Sequence, residues 1–341
     1  MILDELTYEQ CIAQGVGPLV FPSRLEKGID PANSVRMKAV CLQNMQAQVK
    51  LSHTLSVAWN ALEKAGIKAV LMKGAGLAAF YAEPQMRQWG DVDLYVGTDH
   101  YHPACAVMRQ TFPDALKFDE ELDHYKHYNL IADGISIEVH RVSMGLQHPV
   151  DVRRYARMER EGMGHAQELE IGGLKVRVPE STFNALFVFF HAWEHMMTQG
   201  ANVRQLCDLK LLLHHEAARI DRVRLERMLS ELHLTDVWQL FMYIIVTYLD
   251  LPKEEAPLFT TSCAQRAERL LNDLLNGQLV EKKATSQAPK GRFARKWHTM
   301  QERMMNARRI GQYSPSYGRH MVATIWLSGL GRLFAKDRHW E

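Results

Sequence analysis

The spacing of apolar residues changes character along this chain, and no other feature of the sequence limits its fold as much. Between residues 67 and 178 the apolar runs are short, and several alternate with polar residues, the period of half-buried strands. From Pro179 onward apolar residues recur at helical spacing, and the intervening loops hold proline, glycine or capping residues. The proline-free stretch 33–65 spreads Val, Met, Leu and Ala as a helix does, and Gly66 stands where a left-handed helix cap would fall. This order predicts an α+β chain: a helical N-terminal arm over 1–65, an α/β core over 66–178 and an all-helical C-terminal domain over 179–341. A length of 341 residues is enough for such an arrangement.

Within the core, a strand is expected over 67–72, then a Lys73-Gly74-Ala75-Gly76 turn and a helical segment to Tyr81. Asp91-Val-Asp-Leu-Tyr-Val alternates as a strand, and 100–110 reads as a helix. Strands His127–Ala132 and Ile135–His140 flank Asp133-Gly134, the strongest short hairpin signal. A second hairpin is expected over 169–178, turning at Gly172-Gly173. Helices follow over 181–197, 203–215, 222–232, 237–249 and 264–275, with Ser181 and Asp221 as N-caps.

Composition excludes more than it assigns. Hydrophobic residues at 47% and charged residues at 23% suit a packed globular chain and argue against disorder. Five cysteines without a CxxC pair fit reduced thiols, not a disulfide frame or a zinc knuckle. The acidic start lacks the pattern of a secretory leader, and the longest apolar stretch, 237–249, falls short of the roughly 20 residues that span a bilayer. A cytoplasmic protein without a membrane segment is expected. The net charge of +2 decides nothing, but 282–309 is locally basic, with Phe293 and Trp297 interleaved. Such a run is most often a solvated face, and a weak nucleic-acid contact is its sharper reading.

The chemistry concentrates near Asp91 and Asp93. Two apart on a strand, their carboxylates project from one face and repel each other unless a cation lies between them. Hard oxygen ligands favour magnesium, and a pair of this kind can bridge two ions. Ser136-Ile-Glu138-Val-His140 supplies a third carboxylate on another strand, with His140 on the same face. Upstream, the Lys73-Gly74 turn opens a helix, where free backbone N–H groups favour phosphate and Lys73 adds positive charge.

These segments (Val70 to Tyr81, Arg87 to Val96 and Ile137 to His140) resemble the uncharacterised nucleotidyltransferase family of bacteria, within the polymerase-beta-type nucleotidyltransferase superfamily. The resemblance implies a polymerase-beta-like core in which Asp91, Asp93 and Glu138 are catalytic and bind metal. It implies that Lys73, Gly74, Arg87 and His140 meet the nucleotide, and, through a looser match, that His191, Arg204 and Asp208 are functional polar residues borne on helices. The chain departs from the superfamily in having Ala75 where a serine usually follows the glycine, and in a longer spacing from Gly74 to Asp91.

The expected activity is transfer of a nucleoside monophosphate from an NTP, ATP favoured, to an acceptor hydroxyl, with two Mg2+ ions and release of pyrophosphate. The acceptor is a protein, a small molecule or an RNA; the sequence does not say which. The competing class is a non-catalytic nucleotide-binding module, a sensor or toxin–antitoxin component on the same fold. His191-Ala-Trp-Glu194-His195 also fits the inverted zinc-peptidase string, but so short a string recurs by chance, and the preceding Phe187-Val-Phe-Phe points to a buried helix.

Overall fold

The computed structural model describes residues 2–28, 30–88, 90–118, 120, 122, 124–146, 148–198, 200–279 and 292–334. Helices α1 (Tyr8–Ala13) and α2 (Gly17–Glu26) lead into the long α3 (Pro31–Lys64). Asp30 starts α3 by accepting from the Ala32 N–H at 3.0 Å, with Pro31 in the first turn, and Gly66 at φ 72° ends it.

Then come β1 (Val70–Met72), the single turn α4 (Gly74–Ala78), β2 (Asp91–Tyr95), α5 (Gly97–Thr111), β3 (Leu116–Lys117), β4 (His127–Ala132) and β5 (Ile135–His140). Helix α6 (Pro149–Gly164) and the hairpin β6 (Gln167–Ile171) and β7 (Leu174–Val178) complete the strand-bearing part. The remainder is helical: α7 (Ser181–Thr198), α8 (Val203–His215), α9 (Arg222–Glu231), α10 (Thr235–Leu249), α11 (Ala264–Leu275), α12 (Arg292–Gly311) and α13 (Pro315–Phe334). The protein is therefore a mixed α+β chain.

The larger sheet runs β1-β2-β5-β4-β3. It is mixed: β2 and β5 are parallel, and the other pairs are antiparallel. Period two splits its residues. Val92, Leu94, Ile137, Val139, Tyr128 and Leu130 point to one side and form an apolar core with Leu51, Leu55, Ala58 and Leu62 of α3 and Tyr101, Cys105 and Met108 of α5. On β1, Val70 and Met72 face the other way and join a second core, built mainly from α7 to α11. Phe187, Trp193, Trp238 and Phe241 are fully buried in it. The sheet thus lies between two apolar layers, and its second face carries a polar patch that includes Asp91, Asp93, Glu138 and His140.

The two hairpins turn as expected. Asp133 (φ 51°) and Gly134 (φ 80°) both adopt the positive φ of a type I′ turn, as do Gly172 and Gly173. Asp221 caps α9 by accepting from the Arg224 N–H. Ser181 does not cap α7. Glu180 accepts there from the N–H groups of Thr182 and Phe183, while the Ser181 hydroxyl donates to Glu216. Helix α6 is an element that the apolar pattern hides. Its buried side, Asp151, Tyr155, Met158, Glu159 and Met163, has helical spacing but includes two acids. It crosses α7 where Gly162 leaves room, since a Cβ there would lie 2.3 Å from Phe183 Cβ.

Among the described residues, no helix is long and apolar enough to cross a membrane. The linker part of the basic run 282–309 lies outside the described residues; Trp297, on α12, is 54% exposed.

Candidate active site

Parallel register brings the expected carboxylates together. Asp93 lies opposite Glu138 across β2 and β5, Asp91 opposite Ser136 and Tyr95 opposite His140. Partners in register project from the same face, so the two strands present two aspartates, a glutamate and a histidine in one patch. One carboxylate oxygen from each of Asp91, Asp93 and Glu138 lies within 4.8 Å of the others. Strand β1, antiparallel on the other flank of β2, ends with Met72 beside Asp93 and so delivers Lys73 to the same place.

Asp93 is the centre of the patch and has no exposed surface. Its Oδ1 is 3.0 Å from Lys73 Nζ and 3.0 Å from His140 Nε2. The same His140 nitrogen is 3.1 Å from Glu138 Oε2. Ionised carboxylates only accept, so Nε2 carries the proton and shares it between two carboxylates. Asp93 Oδ2, in contrast, is buried with no hydrogen-bond partner.

The charges are out of balance in a way that favours a cation. Repulsion by Asp93, reinforced by burial, pushes the Asp91 carboxyl up to about 6. For Lys73, burial would favour the neutral amine, but Asp93, Asp91 and Glu138 outweigh it and hold the ammonium charged well above its ordinary range. Burial would raise Glu138, yet its hydrogen bond to His140 and the charges of His140 and Lys73 pull it below the usual carboxylate range. Burial would lower His140, but the hydrogen bonds it donates to Asp93 and Glu138, with their charges, outweigh that cost and raise it. Three carboxylates therefore face one lysine and one histidine, and one buried oxygen is left over. A divalent ion bound by oxygen donors fits that donor set.

The turn before α4 is strained. Lys73 has φ 49° and ψ −137°, a conformation that side-chain-bearing residues rarely adopt, and Gly74 follows at φ 35°. Strain of this kind costs about 1–3 kcal/mol and is held by its surroundings; here the Lys73–Asp93 ion pair is one of those restraints. The helix after the turn is a single turn of five residues, so its dipole is small and the backbone N–H groups are its main resource for an anion.

Arg87 is placed differently from the other candidates. Its side chain is buried, and Nε and Nη2 donate to Oδ1 and Oδ2 of Asp208 at 2.6 and 2.8 Å. Tyr81 donates to the same Asp208 Oδ1 at 2.8 Å. Gln48 of α3 holds the Arg87 carbonyl and Arg204 holds that of Gln88. Of the looser motif residues, Asp208 thus binds the Arg87 side chain and Arg204 the next carbonyl, which clamps α8 to the segment leading into β2.

His191, on α7, is half-buried near the patch. Desolvation, with the charge of Lys73 added, holds it neutral well below its ordinary range. His195, one turn on, is lowered to about 4 for the same reasons, burial first. Their rings meet edge-on at 4.3 Å. Among the described residues, the groups able to hold a metal do not include His191, Glu194 or His195.

One member of the patch went unread in the sequence. His127 pairs with His140 across β4 and β5, its ring 5.0 Å away, and its Nδ1 is 3.9 Å from Glu138 Oε2. Burial lowers it to about 4. The hairpin itself carried the signal: a two-residue turn at Asp133-Gly134 forces His127 opposite His140 and Asn129 opposite Glu138. Behind the strands, Ser143 gives its N–H to Glu159 Oε1 at 2.6 Å, which anchors the end of β5 to α6.

No curated protein matches the chain. Among solved structures, it is similar to the crystal structure of an antigenic nucleotidyltransferase-like protein from Paracoccidioides brasiliensis, at 16% identity over 61% of this chain and 94% of that one. The TM-score is 0.36, too low to carry an argument. Sequence similarity is more decisive: residues 4–250 match the family described as uncharacterised nucleotidyltransferase, and the chain belongs to that family.

Proposed function

We propose that the protein is a magnesium-dependent nucleotidyltransferase on a polymerase-beta-like core, which moves a nucleoside monophosphate from an NTP to an acceptor hydroxyl and releases pyrophosphate. The observation that carries this reading is the convergence of Asp91, Asp93 and Glu138, with one Asp93 oxygen buried and without a partner, beside the Lys73-Gly74 turn.

Asp91, Asp93 and Glu138 would hold Mg2+, two ions on this reading, which when bound supplies charge neutralisation and acidifies the attacking hydroxyl. The chain's own residues do the rest. His140 fixes Asp93 and Glu138 in place through one shared proton. Lys73 and the Gly74 amide would take the triphosphate and stabilise charge that builds on the pyrophosphate leaving group. Glu138, ionised and at the open rim of the patch, can accept the acceptor's proton. His191, kept neutral, lines the side of the patch under α7, where it would meet the nucleotide without adding charge. Arg87 contributes at one remove, since its clamp on Asp208 sets the approach of β2 and hence the aim of Asp91.

The acceptor is a protein, a small molecule or an RNA, and ATP is the favoured donor. Incubation of the protein with Mg2+ and each labelled triphosphate in a cell extract tests this: label should pass to a discrete molecule with stoichiometric pyrophosphate. Tight, Mg2+-dependent ATP binding with no pyrophosphate under any condition would replace the enzyme with a nucleotide-binding module.

A further inference from the structure

A second cluster of metal-type donors lies away from the sheet, where α6 begins. His148 precedes the helix, Asp151 is in its first turn, and His320 reaches them from α13. We propose that His148, Asp151 and His320 form a metal centre for a divalent transition-metal ion of the zinc type, which clasps α13 to the start of α6.

Geometry comes first. One donor atom from each residue lies within 4.8 Å of the others. His320 Nε2 is 2.5 Å from Asp151 Oδ2, and His148 Nδ1 is 3.6 Å from Asp151 Oδ1. The Asp151 side chain is only 8% exposed. Its Oδ1 and the His148 Nδ1 are both buried without a hydrogen-bond partner, and they face each other. Arg154 brings a guanidinium nitrogen to 3.8 Å from the same Oδ1, beyond hydrogen-bond reach, and donates instead to the Glu231 carbonyl at 2.7 Å.

A simple histidine–carboxylate clamp accounts for the His320 contact but not for the other pair. If His148 donated to Asp151, the two atoms would be expected to close to hydrogen-bond distance. Two lone-pair donors held just outside that distance suit a shared cation. Ligands at about 2.0–2.1 Å around a tetrahedral ion stand roughly 3.3 Å apart; the 3.6 Å between His148 and Asp151 is close to that, and the 2.5 Å hydrogen bond between His320 and Asp151 would open to the same spacing as an ion entered.

Two imidazoles with one carboxylate select a borderline ion over magnesium, which prefers oxygen alone. That donor set is the reverse of the Asp91–Asp93–Glu138 group, so the two sites would sort their metals by chemistry. His233 covers the cluster: its ring stacks on His320 with centroids 4.1 Å apart, and its backbone is held in the left-handed region at φ 59°. Solvent would complete the coordination. The site joins residues far apart in the chain, and α13 is otherwise fixed mainly on α12, where Gly318 passes so close that a Cβ would lie 2.6 Å from Gly311 Cα.

The test uses the full chain carrying Glu138→Gln, which disables the His127–Glu138–His140 group, after chelation and desalting. Titration with zinc chloride against a chromogenic competitor should show one tight site per chain. Cobalt(II) in its place should give the visible absorption of a tetrahedral nitrogen–oxygen site. Adding His320→Gln or Asp151→Asn should weaken zinc at least about tenfold and remove the zinc-induced rise in melting temperature. Absence of stoichiometric zinc in the Glu138→Gln chain overturns the proposal whatever the folding of the other variants, and so does unchanged affinity in a folded His320→Gln chain.

Discussion

Two buried cation–carboxylate pairs among the described residues, Arg87 with Asp208 and Lys73 with Asp93, differ in what they leave over. Arg87 and Asp208 match: two nitrogens meet two oxygens, and Tyr81 takes a further lone pair. Lys73 and Asp93 do not match, because one ammonium and one imidazole crowd a single oxygen while the other is buried and unpaired. A buried polar group without a partner costs about 1–3 kcal/mol, so evolution has little reason to keep one for stability. On the reading proposed above, the closed pair acts as a brace and the open pair is where a cation would bind.

The sharpest way to break this comparison is at Asp93. Asp93→Asn removes one charge and almost no volume, so pyrophosphate release should fall by about three orders of magnitude or more while the circular dichroism spectrum is unchanged. Turnover within a few-fold of the parent would show that the open pair is not the active centre.

On the closed pair the consequence should fall on stability. Arg87→Ala strands the Asp208 charge in the interior, and urea unfolding should register a loss of about 3–5 kcal/mol. The double variant Arg87→Met/Asp208→Leu should regain most of it, because both charges leave together. A single variant as stable as the parent would remove the distinction between brace and site.

A pH series sharpens the same point. The Asp91 carboxyl sits at about 6 in the folded chain against 3.8 for the free side chain. The fold thus binds this proton more tightly than the unfolded chain does. The stabilisation is present below about pH 4 and is lost as the pH rises through about 6. A divalent ion competes for that proton, so Mg2+ affinity measured by calorimetry should rise about tenfold per unit below pH 6 and level off above it. A flat profile would mean that Asp91 is not a ligand.

The smallest effect belongs to Tyr81→Phe. It removes one of several contacts to Asp208, and should cost about 1 kcal/mol in chemical denaturation with turnover nearly unchanged.

Local features were readable wherever the signal was local. The Asp133-Gly134 and Gly172-Gly173 turns, the end of α3 at Gly66 and the cap at Asp221 follow from residue types with strong backbone preferences. The three carboxylates were legible because strand period two puts alternate residues on one face. Less was readable where a long-range partner intervenes. Helix α6 buries Asp151 and Glu159 through contacts with His320 and Ser143, so its apolar period is broken. Ser181 looked like a cap until Glu216 and Glu180 divided its expected work.

By itself, the sequence determined the family, the mixed architecture and the face on which chemistry is possible, because propensity, turn preference and side-chain period act over a few residues. Tertiary structure alone decided that β2 and β5 lie parallel with Asp93 against Glu138, that Arg87 is spent on Asp208, and that His320 meets Asp151. Those outcomes depend on which strands become neighbours and which buried charges find each other. Such pairings are settled by packing and desolvation across the whole molecule, and no short window of residues contains them.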